Sequence, residues 1–135
     1  MSDLDRAREF FKNDHYATDD LGAVIDDFGD DWAQCSMEIL PHHRNALGGL
    51  MGGVPFTLAD FAFAVATNFD KTPTLSLSSQ ISFLSQPRGK RLTARAEPIK
   101  KGRSTCFYRV EVTDELGTKI AYVTVNGFVL SNPKG

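Results

Sequence analysis

Leu75, Leu77, Ile81 and Phe83 alternate with Ser76, Ser78, Gln80 and Ser82, the period of two expected of a strand with one apolar face. Further extended runs follow at 91–99, 105–113 and 119–130. Gln86-Pro87-Arg88-Gly89, Lys100-Lys101-Gly102-Arg103 and Asp114-Glu115-Leu116-Gly117 interrupt them, so the C-terminal half predicts four consecutive antiparallel strands. Nearer the N-terminus, 23–25 and 32–40 flank Gly29-Asp30-Asp31 as a β-hairpin, with Ala33, Cys35, Met37 and Ile39 on one face of its second arm. Residues 3–13 predict a helix capped by Asp3, with Leu4, Ala7, Phe10 and Phe11 on one side.

Between hairpin and strands the pattern loses its polar half. Val54 to Phe69 reads as one helix, apolar nearly all round, with Pro55 tolerated in its first turn. Large Phe56, Leu58, Phe61, Phe63 and Val65 mix with small Ala59, Ala62, Ala64 and Ala66, and a helix without a polar stripe is a buried helix. The segment 46–69 is a poor membrane span because of its glycines, Pro55, Asp60 and Asn68. One long helix against one curved antiparallel sheet is an α+β arrangement of the hotdog type. So apolar a helix leaves surface for a second copy to cover, which predicts a dimer.

A chain of 135 residues predicts one domain spanning 1–135. A net charge of −2 offers no basic footprint, so nucleic acid is not expected as a partner. The first residues carry both charge signs and no apolar signal core, and with two cysteines, Cys35 and Cys106, this predicts a soluble cytoplasmic protein with reduced, buried thiols. No histidine spacing suggests a metal site; His42 and His43 read as a solvent-exposed loop pair.

Asp60 is the only ionisable residue between Arg44 and Asp70. Burying an unpaired carboxylate costs several kcal/mol, so it must be paired, protonated or at an opening. Gly48-Gly49-Leu50-Met51-Gly52-Gly53 precedes the same helix. Glycines there free backbone N–H groups to meet an oxyanion, aided by the helix dipole. No lysine follows as in a nucleoside-triphosphate loop.

Asn45, Gly48, Gly52, Gly53 and Asp60 stand at the spacing N-x-x-G-x-x-H-G-G followed by six variable positions and Asp. This resembles the signature of the phenylacetate-degradation type of hotdog acyl-CoA thioesterases. The resemblance implies hydrolysis of an acyl-CoA to a carboxylic acid and free coenzyme A, with no further cofactor. It implies that Asp60 is the nucleophile or general base, that the Gly52 N–H stabilises the oxyanion and that Asn45 positions the site. Gly53 and Met51 would border the substrate, and Ser76 or Ser78 would assist water. It also implies that carboxylate and oxyanion donor meet across a homodimer interface, with two dimers pairing into a tetramer. The basic cluster Lys100, Lys101 and Arg103, or alternatively Arg88 and Lys90, is a candidate for meeting coenzyme A phosphates. The family histidine is Met51 here, a thioether that cannot donate a hydrogen bond. That departure favours, as an alternative, a non-catalytic acyl-CoA binding or sensing module; a hotdog dehydratase or hydratase is weaker, with no histidine at the helix start.

Overall fold

In the computed structural model, residues 1–130 are described; the expected single unit of 1–135 also takes in 131–135, which lie outside the described residues. Six strands form one antiparallel sheet in the order β1-β2-β4-β5-β6-β3: β1 Val24–Phe28, β2 Ala33–Glu38, β3 Thr74–Phe83, β4 Arg91–Lys101, β5 Thr105–Asp114 and β6 Lys119–Val129. The helix α2, Gly53–Asn68, packs chiefly across β4, β2 and β5. This is the expected hotdog arrangement.

The alternation in β2 is met: Ala33, Cys35 and Met37 are fully buried, and Leu92, Ala94 and Ala96 of β4 lie on the same side of the sheet. Against them α2 sets Leu58, Ala59, Ala62, Val65 and Ala66, where small side chains let helix and sheet approach. The four C-terminal strands exist, but β3 pairs with β6 rather than with its successor β4. The break at 86–89 is therefore a crossover, and β1 and β3 become the two sheet edges. Lys100 and Lys101, expected in a turn, extend β4 because the register shifts between Pro98 and Lys100. Pro98 is tolerated because β2 has already ended opposite Ala96, so no ladder partner on that side needs its missing N–H.

The N-terminal helix α1, Asp3–Phe11, is shorter than expected, and its cap is Ser2 rather than Asp3. Ser2 Oγ accepts from the Asp5 N–H and Asp5 Oδ2 accepts from the Ser2 N–H, a reciprocal capping box. Ala7 and Phe11 are buried as expected, while Phe10 stays half exposed beside Phe69. A π-helical turn, Tyr16–Asp20, and a 3-10 turn, Pro41–His43, occupy stretches that carry no periodic signal. Among the described residues, no helix is long and apolar enough to cross a membrane.

Candidate active site

The glycine-rich loop is held by its own polar groups. Asn45 Oδ1 accepts from the Leu47 and Gly49 N–H groups at 3.0 and 3.1 Å, and Asn45 N–H donates to the Gly49 carbonyl at 2.8 Å. Gly48 sits at φ +84°, a conformation that favours glycine. Leu50 N–H donates to Gln86 Oε1 at 2.7 Å, tying the loop to the crossover between β3 and β4. Gln86 had no role in the sequence-based expectation.

The two peptides that flank Met51 are both fixed. Met51 N–H donates to the His43 carbonyl (3.0 Å), and the Met51 carbonyl accepts from Val54 N–H (3.0 Å). A planar peptide then sets the direction of the Gly52 N–H. Among the described residues, neither the Gly52 nor the Gly53 N–H has an acceptor, and no side chain caps α2. Two free donors at the positive end of a sixteen-residue helix attract developing negative charge. The Phe83 ring covers Gly52: a Cβ there would lie 3.0 Å from Cζ. The Met51 side chain points outward and is 57% exposed.

Asp60 lies eight residues further along α2, about 12 Å up the axis at 1.5 Å per residue. The helix is not buried all round, as its composition suggested. Gly53, Phe56, Thr57, Asp60, Ala64 and Asn68 form a partly exposed stripe, and Asp60 is on it. Asp60 opens into a cavity of about 270 Å³ lined by Asp14, His15, Tyr16, Ala17, Thr57, Phe61 and Ala64. Its carboxylate reaches solvent, yet enough protein crowds it that burial raises its pKa, and the nearby Asp14 carboxylate raises it further. Asp14 to Ala17 had not been associated with the site, since contacts between a loop and a distant helix leave no periodic trace.

Ser76 and Ser78 take opposite sides of β3. A register shift between them places Ser76 opposite Gly127 and Ser78 opposite Asn126. Gly127 faces Phe63 of α2, so Ser76 shares the helix side of the sheet. Ser78 lies on the outer side, where its Oγ accepts from Asn126 Nδ2 at 3.2 Å.

Lys101 and Arg103 line a second cavity of about 240 Å³ together with Lys71, Thr72, Cys106 and Tyr108. Lys71 Nζ donates to the Ala66 carbonyl at the end of α2 (2.9 Å). Burial lowers the Lys71 pKa, and Lys101 lowers it further. Lys71 was missing from the expected cation set; its place just past the end of α2 was the available signal. A larger cavity, about 840 Å³, lies between α1 and β1, shares Phe61 with the Asp60 cavity and includes none of the glycine-rich loop.

Within one chain, then, the structure gathers Asn45, Met51, Gly52 and Gly53 in one loop, while Asp60 and the Lys101–Arg103 pair line separate cavities that include none of these four. His42 is exposed as expected, but His43 is buried at 3% exposure. The exposed-pair expectation fails for it because the 3-10 turn points its ring inward, where Nδ1 accepts from the Leu40 N–H (2.9 Å).

The family model described as thioesterase superfamily matches residues 47–121. The TT0310 protein of Thermus thermophilus has a crystal structure that superposes with a TM-score of 0.78 at 32% identity, covering 84% of this chain and 96% of that one. Acyl-coenzyme A thioesterase PaaI of Escherichia coli K12 is 29% identical over 116 residues, 85% of this chain and 82% of the relative. Human acyl-coenzyme A thioesterase 13 is 28% identical over 89 residues, 64% of each chain.

Proposed function

The chain belongs to the thioesterase superfamily, and on that premise we propose that it hydrolyses an acyl-CoA to a carboxylic acid and free coenzyme A. The observation that carries the proposal is the pair of unpaired N–H groups at Gly52 and Gly53, opening the helix whose exposed stripe bears Asp60. A thioester needs a base or nucleophile and a stabiliser for the oxyanion of the tetrahedral intermediate, with no metal. Asp60, its pKa raised, is a better base than an ordinary carboxylate. It attacks the carbonyl carbon or takes a proton from the water that does; the Gly52 N–H receives the developing oxyanion, and the coenzyme A thiolate leaves.

Some 12 Å of helix separates the two groups, so a complete site needs Asp60 of one protomer and Gly52 of another. A homodimer through β3 supports this. That edge strand leaves Leu75 exposed on one side of the sheet and Phe83 (59% exposed) on the other, with Leu77 (65% exposed) between them and a free line of backbone groups suited to a second copy. Pairing of two dimers into a tetramer extends the proposal. Ser76, on the helix side, is the better of the two serines to hold the water, while Asn45 shapes the loop from within. Lys71, Lys101 and Arg103 meet coenzyme A phosphates. Two free buried thiols suit the cytoplasm.

The second reading, an acyl-CoA binding module without turnover, is favoured by one observation: the side chain at position 51 is an exposed thioether with no proton to donate. Thiol release from short, long and aromatic acyl-CoAs, with Asp60→Asn as control, separates the two. The thioesterase predicts turnover that falls at least a hundredfold in Asp60→Asn while acyl-CoA binding persists. Equal, slow release by both proteins, with binding retained, leaves the binding module.

A further inference from the structure

His43 lies beneath the loop that carries Gly52. The residue is 3% exposed, its ring tilted against His42 at 4.1 Å between centroids and set beside the Asp20 and Leu21 carbonyls. Because Nδ1 accepts from the Leu40 N–H, the neutral ring carries its proton on Nε2. That Nε2 has no hydrogen-bond partner. The Asp20 carbonyl lies beside it but is already engaged by His42 Nε2 at 3.0 Å. With its backbone carbonyl His43 accepts the Met51 N–H, the bond that fixes the Leu50–Met51 peptide, the one just before the peptide that carries the Gly52 N–H.

We propose that His43 is a proton-sensitive positioning residue that holds the Gly52 N–H in line for the oxyanion and releases it when the imidazole is protonated. The inference rests on the assignment of Gly52 as oxyanion donor. Protonation has one place to occur, Nδ1, and a protonated Nδ1 can no longer accept from Leu40. The ring would then carry a charge and two N–H groups in a buried pocket beside the Asp20 and Leu21 carbonyls, the first of them already occupied. The turn must open, and the His43 carbonyl takes the Met51 N–H with it.

The titratable group that faces it is His42 on its own loop, and the π-helical turn and the residue after it present the backbone carbonyls of Asp20 and Leu21. Burial first and the His42 ring second disfavour the imidazolium, and the Asp20 and Leu21 carbonyls oppose them only in part. Hence the folded pKa lies below the ordinary value of about 6.5. The unfolded chain binds the proton first, so the stability contributed by neutral His43 is complete above about pH 6.5 and is lost as pH falls through the folded pKa.

The test follows the Leu40 and Met51 amides by ¹⁵N NMR from pH 7.5 to 4.5, beside thiol release at pH 7.5. In the unsubstituted protein both amides shift together with one midpoint below 6.5. His42→Asn retains that joint titration. His43→Asn, which keeps an acceptor in place of Nδ1 and does not titrate, abolishes it and keeps kcat within threefold. His43→Leu, which removes the acceptor, lowers kcat at least tenfold with KM within twofold. Independent titration of the two amides, or its loss in His42→Asn but not His43→Asn, overturns the proposal. So does a folded His43→Asn as impaired as His43→Leu. If His43→Leu does not fold, the NMR comparison decides alone. Thiol release insensitive to Asp60→Asn instead removes the proposed reaction, and with it the catalytic meaning of His43, whatever the amides do.

Discussion

Replacing Gly127 by alanine forces one methyl group into a space with three owners. The added Cβ would lie 2.8 Å from Cys106 Sγ, 2.9 Å from Thr74 Cγ2 and 3.0 Å from Phe63 Cζ. Carbon neighbours settle at about 3.5–4.0 Å, so each must retreat by roughly 0.5–1 Å. They belong to β5, β3 and α2, and two are pinned. The Thr74 N–H donates to Asn68 Oδ1 (2.6 Å), and the Phe63 ring meets Tyr108 edge-on at 5.2 Å. Overpacking of this kind costs about 1–3 kcal/mol, or a fall in Tm of roughly 3–10 °C for a chain of this size. Urea unfolding should show the loss as a lower midpoint at unchanged m-value. Adding Cys106→Ala removes the nearest obstacle, and a double-mutant cycle should return about 0.5–1 kcal/mol of favourable coupling. Activity should fall as well, because Gly127 is the cross-strand partner of Ser76. Stability of Gly127→Ala within about 0.5 kcal/mol of the unsubstituted protein, with no coupling to Cys106, would refute the packing argument.

Two further outcomes are expected. Asp14→Asn removes the like charge that assists burial in raising the Asp60 pKa, so the acid limb of the kcat profile should move to lower pH, and an unmoved limb would show that Asp14 does not face the reacting carboxylate. Asp114 is buried, which alone would raise its pKa, yet it accepts from the Arg88, Gly89, Leu116 and Thr118 N–H groups and lies well below the usual carboxylate range. Its stabilisation is present above the unfolded pKa of about 3.9 and lost as pH falls towards the depressed folded value; Asp114→Asn should therefore be less stable at pH 7 and lose less stability between pH 4 and 2, as urea midpoints will report.

Elements whose burial is local were legible from residue order. Ala33, Cys35 and Met37 announce the inner face of β2, and the turn signals at 100–103 and 114–117 announce two hairpins, the first set two residues early, because alternation and turn chemistry act over a few residues. Pairing partners act over many. Nothing in Leu75 to Phe83 says that β6, not β4, lies beside it, and the register shift that turns Ser76 inward and Ser78 outward is invisible to a period of two. The same limit hid Asp14 beside Asp60 and Lys71 beside Lys101. The apolar character of α2 overstated its burial, since Phe56 and Ala64 on the exposed stripe look no different from Phe63 and Ala62 in the core. His43 shows the opposite error: a polar type in a polar stretch, sunk by the geometry of one 3-10 turn.

The Asp114–Thr118 turn matters for anyone engineering this chain. Glu115, Leu116 and Gly117 are exposed at a hairpin tip, the sort of place where a tag or a grafted loop is usually inserted. Yet Asp114 grips the Arg88 and Gly89 N–H groups, and Glu115 those of Lys90 and Arg91. The segment so gripped continues back to Gln86, which holds Leu50. An insertion there would cut a mooring line that ends two residues from Gly52. The 102–104 turn, free of such ties to the glycine-rich loop, is the safer graft point for any design that leaves coenzyme A binding aside.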